Sequence, residues 1–231
     1  MNKAEEYMNY ASTLLQKVMS EEAENIEKAA VAVKNTMSSG GMLYTYGTGH
    51  STMLCMEPFM RAGGFGACYP ILDERLMCHT VKKPEDRFLE REVGVTAEIF
   101  KKYPLKKGDS MFIFCYGGKN ATSIDACLLC KELGVTSMGI SCVDQAVMVG
   151  SSHPSGLLVH EACDISLDTH GAVGDAAIDF GDFTFGPIST VIGAAIVQAV
   201  QCRAVELMLA DGEKPEVLIS ANVPGGDDHN R

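Results

Sequence analysis

The chain has 231 residues, of which 46% are hydrophobic and 21% charged, and its formal net charge at pH 7 is −11. These fractions are near those of folded domains and exclude a disordered chain, and the length suits one α/β domain with helical additions. The acidic balance excludes a surface that follows nucleic-acid phosphates, which needs clustered Lys and Arg. A small anionic ligand stays compatible with this charge, because helix N-termini bind anions locally.

Nine cysteines are scattered through apolar segments, and their odd number indicates reduced core residues of a cytoplasmic protein. Cys127 and Cys130 have the C-x-x-C spacing but fall inside a predicted helix with no second pair, which favours packing over a metal or redox site. The N-terminus has no apolar signal-peptide core, and no apolar span of 18 residues is recognised. We therefore expect a soluble protein that contacts neither a membrane nor nucleic acid.

Residues 1–39 are predicted to form a helical hairpin that ends at Gly40-Gly41. Its apolar positions recur at helical spacing, namely Leu14, Leu15, Val18, Ile26, Ala29, Ala30, Val33 and Met37. Such a hairpin ahead of the first strand is either an oligomer interface or part of the core.

Strands and helices alternate after the hairpin. Strands are predicted at 42–46, 65–70, 111–115, 135–141 and 163–168, and helices at 51–62, 87–101, 120–133 and 188–211. This order predicts an α/β fold with a three-layer, doubly wound parallel sheet over residues 40–216. Loops 71–86 and 169–187 are expected to form walls of a site. For the tail, residues 217–231, fraying and anchoring both remain open.

Two predicted strands end in glycine turns that open a helix. The first turn is Gly47-Thr48-Gly49-His50-Ser51, and the second is Gly117-Gly118-Lys119-Asn120. Such turns present backbone N–H groups and the positive end of a helix dipole to an anion. Ligands of doubly wound sheets bind past the carboxyl ends of the strands, so both turns are predicted to contact the ligand.

Several titratable residues are candidates for chemistry near these turns. His50 lies within the first turn, and Glu57 and Arg61 share its predicted helix face, where they either form an ion pair or contact ligand. Glu90 begins a predicted helix, either to stabilise the dipole or to act as a base that moves a proton between adjacent carbons. His79 is a candidate acid or a bystander in its loop.

The segment 153–175 concentrates His, Asp and Gly near the end of the last predicted strand, with His153 and Asp175 as candidate ligand contacts. Its histidine spacings fit no compact zinc pattern, so no metal is expected. The chain has no G-x-S-x-G and no G-x-x-x-x-G-K-[ST] motif, and the pattern for a dinucleotide is weak. No cofactor is therefore expected.

These segments resemble the sugar isomerase (SIS) domain family, and more closely its branch of uncharacterised bacterial proteins described as phosphosugar-binding or phosphoheptose-isomerase-like. The resemblance covers nearly the whole chain and is carried by Gly47–Ser51, Glu57 with Arg61-Ala-Gly-Gly64, Pro70-Ile-Leu-Asp73, Glu90-Arg91, Gly118-Lys-Asn120, His153-Pro-Ser-Gly156, Gly174-Asp-Ala176, Gly186-Pro-Ile-Ser189, Ser220-Ala-Asn and Gly225-Gly-Asp-Asp-His-Asn230. It implies a single SIS domain of flavodoxin-like fold, a homodimer or homotetramer, and a sugar or sugar phosphate bound at the strand ends. In the tail, His229 and Asn230 are expected to approach a binding site, either their own or a neighbouring subunit's.

The chain also departs from the family pattern. SIS domains usually hold phosphate with a Ser-x-Ser-Gly turn, and the corresponding positions here are Cys115 and Gly117, while Ala146 replaces a further serine. Each lost hydroxyl removes a charge-assisted hydrogen bond of roughly 1.5–3 kcal/mol. Partial compensation is expected from Ser51, Ser141, Lys119, Asn120 and the backbone amides.

The resemblance leads to one leading hypothesis and two alternatives. The leading one is an aldose–ketose isomerase of a phosphorylated or otherwise anionic sugar, with Glu90 as the base and His50 or His79 as the ring-opening acid. The alternatives are a non-catalytic sugar-phosphate sensor or scaffold, and a lyase or deaminase that acts on an amino or lactyl sugar phosphate.

Overall fold

The structure, a computed structural model, describes residues 1–80 and 89–231. Its centre is a five-stranded parallel sheet in the order β2-β1-β3-β4-β5. The strands are β1 (Leu43–Gly47), β2 (Cys68–Ile71), β3 (Ser110–Phe114), β4 (Thr136–Ser141) and β5 (Ile165–Asp168). Every residue of β1 and β3 is buried, as expected for central strands covered on both faces.

Helices cover both faces of the sheet. They are α1 (Lys3–Glu21), α2 (Ala23–Ser38), α3 (Thr52–Met56), α4 (Val95–Phe100), α5 (Ala121–Leu133), α6 (Val143–Val149), α7 (Val159–Ala162), α8 (Ser189–Ala210) and α9 (Gly226–His229). An antiparallel hairpin of β6 (Ala176–Asp179) and β7 (Thr184–Pro187) precedes α8.

The alternation of side chains along the strands divides the core in two. Phe112 and Phe114 pack with the apolar faces of α1, α2 and α8 in one cluster. Met111 and Ile113 point to the other face and pack with α4 and α5. The α/β class, the parallel sheet and the N-terminal helices predicted from the sequence are therefore confirmed.

Two predicted helices differ from the observed ones. The predicted helix 51–62 is too long, because Pro58 has no N–H to continue the hydrogen-bond ladder and Met60 has a left-handed φ of 44°. The prediction 87–101 is wrong at its start: residues 87 and 88 lie outside the described residues, and the helix begins only at Val95, after Gly94 with a φ of 89°. Residues 89–91 form a separate 3-10 turn.

The predicted loops contain structure of their own. Segment 169–187 includes the β6–β7 hairpin, and segment 71–86 has 3-10 turns at Glu74–Leu76 and Cys78–Thr80, while its residues 81–86 lie outside the described ones. The tail is anchored: Phe65 and Val217 form an antiparallel bridge, and the Leu218 carbonyl accepts the Gly63 N–H at 2.8 Å. Of the two alternatives for the tail, the structure shows the anchored one.

The expectation that the chain has no apolar span of 18 residues is wrong, because helix α8 contains one. By length and composition alone it could cross a membrane, with a mean hydropathy of 1.4 over 18 residues. Ile192, Ile196 and Val200 are buried in the core cluster with α1 and α2. Its apolar character is therefore that of a core helix.

Candidate functional site

A cleft lies where the strand order reverses. β1 and β3 are neighbours at the centre of the sheet, and the chain continues outward from them in opposite directions, so their carboxyl ends form the switch point of a doubly wound sheet. The cleft is lined by residues of the first glycine turn, by the two residues before the second turn and by residues of the segments after β5, among them His50, Ser51, Cys115, Tyr116, Thr169, Asp175, Ser189 and Thr190; Gly117, Gly118, Lys119 and Asn120 are not among its lining residues. The predicted location of the site thus coincides with a real concavity.

The first glycine turn presents side chains more than backbone amides. A Cβ on Gly47 would lie 3.0 Å from the Ser51 Cβ and 3.1 Å from the Phe114 carbonyl oxygen, so the turn is too tight for another residue. The Gly49 N–H donates to the Leu76 carbonyl at 2.7 Å, and the Ser51 N–H donates to the Thr48 carbonyl. These two amides are satisfied within the protein, and the turn contributes His50 and Ser51 to the cleft.

Glu90 lies against the first turn. The Thr48 hydroxyl donates to its carboxylate, with 3.0 Å between Oγ1 and Oε2, and the Thr122 hydroxyl donates to its backbone carbonyl at 3.0 Å. Its negative charge also reaches Cys115, where it contributes to a raised thiol pKa that is mainly due to burial. Glu90 therefore lies beside the first glycine turn and the start of α5, and it is not among the described residues that line the cleft.

The second glycine turn folds back on its own cysteine. Burial raises the pKa of the Cys115 thiol, and hydrogen bonds from the backbone amides of Asn120 and Lys119 oppose that rise. Gly118 has a φ of 61°, and a Cβ there would lie 2.6 Å from the Ala146 Cβ. The Gly118 N–H donates to the Cys115 carbonyl at 2.8 Å, so this amide of the turn is satisfied within the protein, and Ala146 packs against the turn.

Tyr116 forms a wall that the sequence analysis did not predict. Its hydroxyl donates to the Ala172 carbonyl at 2.6 Å, and a Cβ on Gly171 would collide with that hydroxyl. Burial raises the pKa of Tyr116, so it stays a neutral donor. The available signal was the position of this aromatic residue directly after the predicted strand 111–115.

Asp175 lines the cleft but also caps α8. Its Oδ1 accepts the N–H groups of Ile188 at 2.9 Å and Ser189 at 2.7 Å, and its Oδ2 accepts the Ser189 hydroxyl at 2.7 Å. A carboxylate at the start of a 22-residue helix is favoured by both the free amides and the dipole. The N-terminus of α8 is therefore occupied by the protein's own anion.

Two buried hydroxyls at the strand ends have no hydrogen-bond partner within the described residues, those of Ser141 and Thr169. Thr169 follows β5, lines the cleft and is 2% exposed; Ser141 ends β4. Leaving a buried hydroxyl unpaired costs about 1–3 kcal/mol, so both positions lack a partner that buried hydroxyls usually have. Ser141 was predicted, whereas Thr169 was missed because one threonine after a strand carries no distinct signal.

Some predicted residues lie beside the cleft. Glu57 and Arg61 form an ion pair in a neighbouring open depression, where Gln198 also donates to Glu57 at 2.7 Å. His79 is exposed, two residues after Met77, which forms a parallel bridge with Gly49. Gly117 lies beside Gln145.

Other predicted residues make structural contacts. The His153 Nε2 lies 3.1 Å from Asp125 Oδ1, which ties the 151–156 loop to α5. In the tail, the Asn230 amide exchanges two hydrogen bonds with the backbone of Ile219, and His229 Nε2 lies 3.0 Å from the Val217 carbonyl oxygen. In residues 1–80 and 89–231, no group of three or more His, Cys, Asp or Glu side chains could hold a metal ion.

The structure defines a doubly wound α/β protein with a cleft at the switch point of its sheet. The profile of the SIS domain matches residues 6–142. A UPF0309 protein of Geobacillus thermodenitrificans is 34% identical over 229 residues, which is 98% of this chain and 92% of that protein. The chain therefore belongs to the SIS domain family and, within it, to the UPF0309 proteins.

Solved structures share the fold at low sequence identity. Phosphoheptose isomerase GmhA from Neisseria gonorrhoeae has a TM-score of 0.55 and 11% identity, with 90% of this chain and 97% of that chain covered. The Vibrio vulnificus NanR protein complexed with ManNAc-6P has a TM-score of 0.55 and 14% identity, with 99% of this chain and 66% of that chain covered.

Proposed function

We propose that the protein binds a phosphorylated or otherwise anionic sugar in the cleft and interconverts its aldose and ketose forms. The observation that carries the proposal is the position of Glu90, whose carboxylate is held by Thr48 at the junction of the two glycine turns. SIS domains bind sugar phosphates, and a phosphoheptose isomerase is among the proteins of similar fold. A fixed carboxylate beside such a cleft is the group that sugar isomerisation needs.

The proposed reaction is a proton transfer in the open-chain sugar. Glu90 removes the proton from C2 of the aldose, the electron pair forms the C1–C2 double bond of an enediol, and the carbonyl oxygen at C1 receives a proton from His50, the proposed acid. Glu90 then returns its proton to C1, and the hydroxyl at C2 gives its proton back to His50 as its oxygen becomes the carbonyl. The Thr48 hydrogen bond keeps the carboxylate oriented between the two carbons.

Ring opening needs an acid, and His50 is the imidazole that lines the cleft. His79 is the alternative, because its loop is bonded to the first turn through the bridge between Gly49 and Met77. Ser51 and the unpaired hydroxyls of Thr169 and Ser141 are proposed to hold the sugar and its anionic group. Lys119 and Asn120 are proposed to contribute from the second turn.

A non-catalytic sensor of sugar phosphates is the second candidate. The cleft favours it in one respect, because among its described lining residues there is no Lys or Arg. A ligand would then be bound without turnover. The NanR protein complexed with ManNAc-6P has the same fold, which is compatible with this role.

We also propose a homodimer or homotetramer. Phe180, Phe183 and Phe185 of the β6–β7 hairpin are each at least 45% exposed, and Phe180 and Phe183 stack with their centroids 5.4 Å apart. Exposed aromatic clusters of this kind are typical of protein interfaces.

One experiment separates the functions. Aldose and ketose phosphates, with amino and lactyl sugar phosphates, are incubated with the protein in deuterated water and followed by NMR, and binding is measured by thermal shift. An isomerase incorporates deuterium at C1 or C2 of a sugar that it interconverts. A lyase or deaminase releases a leaving group, and a sensor raises the melting temperature with neither change. Release of a leaving group without deuterium incorporation, or binding with neither change, would reject the isomerase.

A further inference from the structure

A second group of reactive side chains lies outside the cleft, in the loop that precedes α7. The Ser155 hydroxyl oxygen lies 2.7 Å from His153 Nδ1, and His153 Nε2 lies 3.1 Å from Asp125 Oδ1. None of these three residues lines the cleft. A hydroxyl, an imidazole and a carboxylate bonded in this order form the arrangement that activates nucleophilic serines on unrelated folds.

The backbone of the loop fixes the tautomer of His153. The Ser155 N–H donates to His153 Nδ1 at 3.1 Å, which requires an unprotonated Nδ1. The Ser155 hydroxyl therefore donates to Nδ1, and the ring proton resides on Nε2, from which it is donated to Asp125. This is the tautomer in which an imidazole can take a proton from a serine.

The carboxylate that orients the ring is itself fixed. Asp125 belongs to α5, and its Oδ2 accepts the Gly94 N–H at 2.7 Å. The side chains of His153 and Asp125 are 9% and 11% exposed. Because water is largely excluded from this pair, the hydrogen bond between the ring and the carboxylate is stronger than on an open surface.

The loop holds the hydroxyl at the surface, where a second molecule can reach it. The Ser152 N–H donates to the Lys119 carbonyl at 3.0 Å, which ties the loop to the second glycine turn. The Leu157 N–H donates to Ser155 Oγ at 3.2 Å and orients it. Ser155 is exposed, so its oxygen is accessible in front of a shielded base.

We infer that Ser155 is a nucleophile that accepts an acyl group from an activated ester or thioester. Ser155 Oγ forms a bond to the carbonyl carbon of the acyl donor as its proton passes to His153 Nδ1. The bond from that carbon to the leaving oxygen or sulfur then breaks, and the leaving group takes the proton from Nδ1. The products are an ester of Ser155 and a free alcohol or thiol, and Asp125 acts as a positioning residue throughout.

The amides around Ser155 set the class of acyl donor. The Ser155 N–H is bonded to His153 Nδ1, and the Gly156 N–H donates to the His153 carbonyl at 3.0 Å. Neither amide is directed at a developing oxyanion, and one such donor contributes about 10²- to 10³-fold in rate. The site therefore suits donors with a good leaving group and does not suit amides.

The nucleophile is tested with diisopropyl fluorophosphate, which forms a stable phosphate ester with an activated serine and releases fluoride. Labelling is measured by mass spectrometry of peptides from the full chain. Ser20 is the internal reference, because it is exposed and its hydroxyl donates only to the Lys17 carbonyl among the printed contacts of the helix end. We expect Ser155 to be labelled about 10²- to 10⁴-fold faster than Ser20, the factor that a general base supplies.

Asp125→Asn separates activation from exposure. The amide keeps an acceptor for the Gly94 N–H and presents an N–H group to Nε2, which moves the ring proton to Nδ1 and removes the base. Labelling of Ser155 is expected to slow about 10²- to 10⁴-fold in this variant. The comparison with Ser20 in the wild-type protein decides the inference even if the variant does not fold. Equal labelling of Ser155 and Ser20, or equal labelling of Ser155 in the wild-type protein and a folded Asp125→Asn, would overturn it.

The class of acyl donor is tested with p-nitrophenyl acetate and its matched amide, p-nitroacetanilide. The wild-type protein is expected to release p-nitrophenolate faster than Ser155→Ala does, and to release no p-nitroaniline. Equal release of p-nitrophenolate by the two proteins would overturn the acyl acceptor, and Ser155-dependent release of p-nitroaniline would overturn the restriction to activated esters.

Discussion

The hydroxyl of Thr48 donates a hydrogen bond to the carboxylate of Glu90, with 3.0 Å between Oγ1 and Oε2. The two residues are 42 positions apart in the chain. One belongs to the turn after β1 and the other to the segment before α4. This contact places a carboxylate at the switch point, where the proposed chemistry needs it.

Thr48→Val keeps the shape of the side chain and removes the donor to Glu90. We expect turnover of the accepted sugar to fall about 2- to 12-fold, which corresponds to the 0.5–1.5 kcal/mol of one net hydrogen bond. Thr48→Ser retains the hydroxyl and should keep near-wild-type turnover. The rate of deuterium incorporation is measured for both variants. Equal rates for Thr48→Val and Thr48→Ser would show that the hydrogen bond to Glu90 does not contribute to turnover.

Cys115→Ser places a hydroxyl beside the second glycine turn, at a position that lines the cleft. A hydroxyl is smaller than a thiol and is a stronger hydrogen-bond donor to phosphate. The affinity for inorganic phosphate should therefore rise by up to about tenfold for one hydrogen bond. Isothermal titration calorimetry measures this affinity. Cys115→Ala, which adds no hydroxyl, is the matched control, and an equal gain in the Ala variant would contradict the explanation.

Asp175→Ala removes the cap of α8 and leaves a non-glycine residue at a φ of 68°. The free energy of unfolding should fall by about 0.5–2 kcal/mol for the cap, and further for the strained backbone. Asp175→Asn tolerates this conformation and still accepts hydrogen bonds, so its loss should be smaller. Urea unfolding measures both, with the exposed Asp182→Asn as the control. If Asp175→Ala matches that control, the cap has no role in stability.

Asp73 makes stability depend on pH in the acid range. A side-chain hydrogen bond from Arg75 is the largest of the effects that lower the pKa of Asp73 from 3.8 to about 2. Burial opposes this shift, while a backbone hydrogen bond from Arg75 and the charges of Arg75 and Lys102 add to it. Because the folded-state pKa is lowered, this contribution is complete above about pH 4 and is lost as the pH falls from 4 to 2. NMR titration in Arg75→Gln should show the pKa returning toward 3.8, with a smaller shift in Lys102→Gln. An unshifted pKa in Arg75→Gln would contradict this assignment.

The sequence predicts the centre of the sheet well because β1 and β3 are buried, largely apolar runs that are followed by glycine turns. It predicts the helix after β1 poorly, although Pro58 was a visible signal. The β6–β7 hairpin was missed because its strands have four residues each and neither contains a continuous apolar run that ends at a turn signal. Local pattern carries no information on pairing partners that are far apart in the chain.

The site was predicted where local turns define it and not where distant segments meet. His50 and Ser51 belong to the turn after β1, so their position was predictable from the local sequence, and both line the cleft. The capping role of Asp175 depends on a helix that begins 14 residues later, and the unpaired hydroxyl of Thr169 depends on everything packed around it. Neither relationship is readable from residue spacing.

Glu90→Gln tests the central claim most directly, with Glu92→Gln as a matched control on an exposed residue two positions away. Each protein is given the accepted sugar phosphate in deuterated water, and deuterium incorporation at C1 and C2 is measured together with ligand affinity. The account predicts that Glu90→Gln loses exchange by about 10²- to 10⁴-fold while binding persists, and that Glu92→Gln exchanges like the wild type. Exchange at the wild-type rate in Glu90→Gln would show that Glu90 is not the base.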